Sequence, residues 1–148
     1  MLRLAADDAG SASLEFITTG VILLVPLVYL VLVMAAVQGG ALAVEGAARQ
    51  AARVYVAEDD QAAAGESARV AVAVALADYG VDPATSALEI VCRPRPTDCL
   101  ARQGWVSVTV RIGVVLPLVP QVLDLAVPLE VQMEATATRP VSRFRGAG

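Results

Sequence analysis

"GSASLEFITTGVILLVPLVYLVLVMAAVQGGALAV", residues 10–44, decides how this chain is organised. From Phe16 to Val44 there are twenty-nine consecutive residues without a charged side chain. Residues 16–37 alone would form a helix of roughly 33 Å, enough to cross a hydrocarbon core of about 30 Å. The stretch therefore predicts a membrane-spanning helix, in which Pro26 predicts a bend. Glu15 places a carboxylate at the edge of this span, where a charge needs a partner.

The rest of the chain predicts an α+β fold. Helical spacing continues beyond the apolar stretch to residue 57, and residues 61–79 predict a second helix, capped by Asp59 or Asp60 and ended by Gly80. Three alternating segments follow, at residues 86–92, 105–115 and 128–138. They predict a small antiparallel sheet of about three strands, with one face on the helices and the other in water.

The middle alternating segment shows this pattern most clearly. Its predicted inner face carries Val106, Val108, Val110 and Ile112, and its predicted outer face carries Trp105, Ser107, Thr109 and Arg111. The connection that follows, residues 116–128, is apolar and contains three prolines. This connection is either tucked under the sheet or exposed to a partner or a membrane surface. Exposed apolar patches of that size are unusual, so we expect it to be tucked under the sheet.

Cys92 and Cys99 are the only two cysteines in the chain. With no His and no further Cys, they cannot complete a tetrahedral zinc site. If this part of the chain faces an oxidising compartment, a disulfide is the favoured reading, and two free buried thiols are the alternative. A disulfide over so short a loop would contribute about 2.5 kcal/mol in the chain-entropy model.

Composition argues against several classes of function. The 148 residues carry a net charge of -4, and all eleven basic residues are Arg. No basic stripe for nucleic acid is visible. The sequence contains no His, no glycine-rich phosphate loop and no G-x-S-x-G motif, so we expect no enzymatic activity, no cofactor and no metal site.

The N-terminal motif resembles a known processing signal. Gly10 ends a short hydrophilic leader, Glu15 is the fifth residue after it, and Phe16 follows directly. This arrangement is similar to the signal cut by type IV prepilin peptidase, and the Glu-Phe pair resembles that of Flp-type pilins. The chain continues for about a hundred residues with strand-like segments, a layout that resembles TadE-like pseudopilins of the tight-adherence (Tad/Flp, type IVb) pilus system.

The resemblance implies a division of the chain and a set of partners. Residues 1–10 would be the leader, 11–57 the membrane-spanning and extended helix, and 58–148 an extracytoplasmic globular region. Cleavage after Gly10 would leave Ser11 as the new N-terminus, and Glu15 would pair with the α-amine of a neighbouring subunit. The implied partners are the peptidase, other pilin or pseudopilin subunits, the inner-membrane assembly platform and the lipid bilayer. The implied function is assembly or priming of a pilus for adhesion or secretion.

Charge and length leave other interpretations open. Arg3 is offset by Asp7 and Asp8, so the positive-inside rule does not orient the span; the resemblance implies a cytoplasmic N-terminus in the bacterial cytoplasmic membrane. One alternative is an uncleaved, single-span anchor for an extracytoplasmic binding domain, with Glu15 snorkelling to the headgroups. Another is an ordinary cleaved signal with "ALA" at 41–43 and a mature start near Val44, although its apolar core is longer than such signals require.

Overall fold

The computed structural model describes the backbone of residues 8–11 and the complete residues 12–116 and 130–144. Two helices, α1 (Asp8–Tyr55) and α2 (Gln61–Ala77), precede a short 3₁₀ turn at Pro83–Thr85. Three strands follow: β1 (Ala87–Arg93), β2 (Trp105–Val115) and β3 (Glu130–Pro140). The predicted α+β fold, with a long apolar helix, a second helix and a three-stranded sheet, is confirmed. The predicted tucked connection lies largely outside the described residues.

The chain divides into two units, Met1–Ala35 and Ala36–Gly148. In the first unit, α1 is lined by exposed Val, Leu and Ile side chains. Many of these are β-branched and favour strands in water. In hydrocarbon, a helix satisfies every backbone polar group within the segment, which overrides that preference. Among the described residues, α1 is the one helix long and apolar enough to cross a membrane, with a mean hydropathy of 2.8 in its best window.

The second unit, called here the C-terminal unit, includes the last twenty residues of α1. Its three strands are antiparallel in the order β1-β2-β3, and Val108 of β2 pairs with Ile90 and Ala137. The predicted inner face of β2 is confirmed, because all four of its apolar side chains are buried. Together with the helices they form one core.

Helix α1 contributes to this core mainly through small residues. The buried positions recur every three or four residues, which places them on one side of the helix; they are Gly40, Ala43, Val44, Ala47, Ala48, Ala51, Ala52 and Tyr55. A Cβ atom added to Gly40 would lie 2.5 Å from Val114 Cγ2 and 2.9 Å from Met133 Sδ. The backbone of α1 at Gly40 therefore packs directly against the sheet, whereas a Cβ at Gly39 would meet no atom within 4 Å.

Helix α2 begins as predicted and ends earlier than predicted. The Asp60 side chain accepts a hydrogen bond from the Ala63 N–H at 2.8 Å, which confirms an N-cap. The helix stops at Ala77, two residues before the predicted end at about residue 79, and the predicted termination at Gly80 is confirmed. Gly80 adopts a φ of 69°, and the Val81 N–H donates to the Leu76 carbonyl at 3.1 Å. Residues 78–80 thus form a turn that ends the helix, and glycine commonly ends helices in this way.

The other boundaries shift by one or two residues. Helix α1 ends at Tyr55, whereas the sequence predicts helix to residue 57, and residues 56 and 57 form a turn. Strand β1 begins and ends one residue later than predicted, and β2 has the predicted bounds. Strand β3 ends two residues later than predicted, and its predicted start at residues 128 and 129 lies outside the described residues. Helix and strand ends depend on a few terminal hydrogen bonds, which sequence periodicity does not specify.

Candidate functional site

The residues of the candidate processing site lie at the start of α1. Because the helix begins at Asp8, the backbones of Gly10 and Ser11 are already helical. Glu15 and Phe16 follow on the same continuous helix. Ser11 and Glu15 are four residues apart, so they lie on the same side of it. The structure thus places the four residues of the motif on one continuous helix.

Glu15 has no partner within the described part of its own chain. Its side chain is exposed, and it makes no hydrogen bond or ion pair with any residue in 12–116 or 130–144. The next charged residue along the chain is Glu45. A carboxylate at the edge of hydrocarbon is costly unless it is paired or reaches the headgroups. The geometry therefore leaves the Glu15 carboxylate available to a group from outside the chain.

Phe16 and the apolar residues after it form an open surface. The Phe16 side chain is 80% exposed, and none of the best apolar window of α1 is buried. Helices that pack in membranes use such surfaces for van der Waals contact with lipid or with other helices. Residues 12–35 therefore present exposed apolar side chains and the carboxylate of Glu15.

Pro26 lies inside α1, and the helix continues through it without interruption. Its ring removes one backbone hydrogen bond, so the predicted bend keeps its physical basis. The bend itself stays a prediction.

The two cysteines are joined. Cys92 and Cys99 form a disulfide with their Cα atoms 5.0 Å apart, and both residues are buried. This confirms the first of the two readings left open by the sequence. The Cys99 N–H also donates to the Gln61 side-chain oxygen at 3.3 Å. The closed loop is thereby attached to the start of α2.

We expect the double variant Cys92→Ser, Cys99→Ser to unfold with a free energy about 2.5 kcal/mol lower than the wild type, because the open loop gives the unfolded chain more freedom. Urea unfolding followed through Trp105, the only tryptophan, measures this change. A reducing agent should lower the wild-type midpoint similarly and leave the double variant unaffected. An unchanged wild-type midpoint under reduction would contradict the prediction.

The outer face of the sheet carries an ordered row of polar pairs. The Ser107 and Thr138 hydroxyls lie 2.8 Å apart, as do those of Thr109 and Thr136. Arg111 continues the row through hydrogen bonds to Glu134 and Glu89. These two bonds, that to Glu134 first, raise the pKa of Arg111 above its usual value. The guanidinium therefore stays charged, and it balances the negative charges of Glu89 and Glu134 at this end of the face.

Comparison of the chain with protein-family models, with curated proteins and with solved structures finds no match. Within residues 12–116 and 130–144, no group of three or more His, Cys, Asp or Glu side chains is placed to hold a metal ion.

Sequence reasoning placed Trp105 on the outer face but did not assign it a role. The structure shows its indole 52% exposed, between Arg93 of β1 and Pro140 of β3 in the sheet register. The signal was present in the sequence, since this large aromatic residue stands among the polar positions of an alternating strand. An exposed aromatic side chain on an otherwise polar face departs from the usual burial pattern, and such a departure marks a candidate binding surface.

Proposed function

We propose that this chain is a TadE-like pseudopilin or minor pilin that acts in the assembly or priming of a Tad/Flp-type pilus. The observation that carries the proposal is the combination at the start of α1. Gly10 precedes Glu15 by five residues, and Glu15 and Phe16 open an uncharged segment of twenty-nine residues on an uninterrupted helix. The Glu15 carboxylate finds no partner among the described residues.

The proposed mechanism is mechanical and needs no catalytic residue. Prepilin peptidase cuts after Gly10 and leaves Ser11 with a free α-amine. An amine of this type has a pKa near 8 and is mostly protonated at neutral pH, so it suits a carboxylate. Pairing of Glu15 with the amine of a neighbouring subunit then favours one axial stagger, because other registers leave a carboxylate unpaired in lipid.

The proposed location is the bacterial cytoplasmic membrane, with the N-terminus in the cytoplasm and the C-terminal unit outside. The disulfide supports this orientation, because such bonds persist mainly in oxidising compartments. The exposed apolar surface of α1 suits storage in the bilayer before assembly. The assembly platform then extracts the helix, and packing against other pilin helices replaces the lipid contacts, in a pilus at the cell surface.

The test is the N-terminal sequence of the full chain expressed with an active prepilin peptidase. We expect a start at Ser11, and a start at Met1 when the peptidase is inactivated. The Gly10→Val variant, which keeps the charge pattern and the helix, should also retain Met1. This comparison separates peptidase cleavage from general proteolysis.

Two outcomes would contradict the proposal. A start at Met1 beside an active peptidase that cuts its own substrate in the same cells would favour the uncleaved anchor. A start near Val44 would favour a secreted domain released by ordinary signal peptidase.

A further inference from the structure

The end of the outer sheet face around Trp105 is open on both sides of the indole. On one side a groove is lined by Val91, Arg93, Trp105, Ser107 and Thr138. On the other side a second groove is lined by Trp105 together with Pro140, Arg143 and Phe144, among others. The exposed indole is thus a platform shared by two grooves, called here the Trp105 platform.

The Trp105 platform is held in place by its surroundings. Arg93 follows directly after Cys92 of the buried disulfide and pairs with Trp105 in the sheet register. On the other side, the Val141 N–H donates to the Gly104 carbonyl at 2.8 Å, which attaches the segment after β3 to the residue before Trp105. A preformed aromatic surface of this kind loses little conformational freedom when a ligand stacks on it.

Two arginines, Arg93 and Arg143, line the grooves beside the Trp105 platform. Arg93 makes no ion pair with any residue in the described part of the chain. Arg143 lies over the Phe144 ring, 4.7 Å from its centroid, so its guanidinium keeps its donors for another group. This contrasts with Arg111 at the opposite end of the same face, which is engaged by Glu89 and Glu134.

We propose that the Trp105 platform binds an oligosaccharide that contains uronic acid. The C–H bonds on one face of a pyranose ring present an apolar, slightly positive surface that matches the negative face of an indole. Arginine holds carboxylates through paired charge-assisted hydrogen bonds, so Arg93 and Arg143 receive the uronate groups. The Ser107 and Thr138 hydroxyls, paired at 2.8 Å, keep further acceptor positions for sugar hydroxyls.

Charge complementarity selects this ligand over a neutral sugar. The whole chain has a net charge of -4, so Arg93 and Arg143 beside an exposed indole are a local exception to its composition. An anionic ligand is attracted electrostatically by the two arginines, whereas a neutral ligand is not. The inference does not depend on the pilus assignment, because the platform lies wholly within the C-terminal unit.

The test uses the intrinsic fluorescence of the full chain in detergent, since Trp105 is its only tryptophan. We expect a hexamer of galacturonic acid to shift the emission, and a hexamer of glucose to bind at least about tenfold more weakly. Binding should weaken as salt is added, because the arginines are exposed. Comparable binding of the two hexamers, or no response to either, would overturn the proposal.

Variants distinguish the site from general charge attraction. Arg93→Gln removes one proposed uronate ligand from an exposed position and should raise the Kd for galacturonate about tenfold. Arg69→Gln on α2 is the matched control, an exposed arginine of the same unit that should leave the Kd unchanged. The Trp105→Ala substitution should abolish binding, as measured by calorimetry, and the variant should keep the circular dichroism spectrum of the wild type. Equal losses for the Arg93 and Arg69 variants would contradict the assignment.

Two further outcomes would replace the saccharide with a protein partner. An acidic peptide of the same charge that binds as tightly as galacturonate would assign the platform to an acidic protein. An emission shift that follows the concentration of the chain alone would assign it to a second copy. Either result would overturn the saccharide proposal while leaving processing after Gly10 to be judged by its own experiment.

Discussion

Glu15→Ala should be cut normally after Gly10 and should then fail to co-assemble. The substitution removes the carboxylate that we propose to pair with the Ser11 amine of a neighbouring subunit. Removing one partner of a buried ion pair costs about 3–5 kcal/mol, because the remaining charge is left unpaired in hydrocarbon. We therefore expect the co-assembled fraction to fall by at least about tenfold, measured in sheared surface material by antibody detection.

The matched control for this prediction is Glu45→Ala. Glu45 lies on the same helix, is exposed, and pairs with Arg49 four residues along. Such exposed pairs contribute about 0.3–0.5 kcal/mol, so its loss should leave assembly unchanged. N-terminal sequencing of both variants must show a start at Ser11, which separates an assembly defect from a processing defect. Normal co-assembly of processed Glu15→Ala would refute the pairing.

Gly40→Leu should lower the free energy of unfolding of the C-terminal unit by roughly 3 kcal/mol, at the upper end of the usual range for overpacking. A Cβ at this position already lies 2.5 Å from Val114 Cγ2, before any further side-chain atom is added. The thioether of Met133 can move aside, but the β-branched side chain of Val114 has little rotamer freedom. The helix must therefore separate from the sheet or displace β2.

Gly39→Leu is the control for Gly40→Leu, because the two glycines are adjacent on α1. A Cβ at Gly39 meets no atom within 4 Å, and leucine favours helix over glycine by somewhat under 1 kcal/mol. We expect this variant to be unchanged or slightly more stable. Chemical unfolding followed by Trp105 emission reports on the C-terminal unit alone. Equal midpoints for the two leucine variants would show that the sheet does not contact α1 at Gly40.

Periodicity predicted the sheet well because one of its faces is buried. The alternation in β2 is strict, and a shift by one residue would turn every valine of its inner face towards water. The "VAVAVALA" segment at 70–77 was more ambiguous, since it alternates as a strand does. The structure makes it helical and buries Ala64, Ala68, Val72 and Leu76, one residue in each turn of α2. Alanine content and the Asp60 cap favour that outcome.

The sequence did not predict how segments that are distant along the chain pack together. Gly39, Gly40 and Ala36 form a patch of small residues, which in a membrane helix would let another helix approach closely. Gly40 instead lies against Val114 and Met133 of the sheet in the same chain, which are more than seventy residues further along the sequence. Nothing near Gly40 in the sequence indicates which of two adjacent glycines the sheet will contact. That choice depends on the rotation of α1 about its axis, which the whole core determines.

The sequence by itself determined the apolar span, the position of Glu15 at its edge, the α+β order of elements and the inner face of β2. These features follow from local hydrophobicity and periodicity, which act within a single helix or strand. Only the tertiary structure decided that Gly40 is a contact point, that Cys92 and Cys99 are joined, and that Trp105 stands exposed between Arg93 and Arg143. Each of these depends on distances between residues on different elements, which are set when the helices and the sheet bury their apolar faces together.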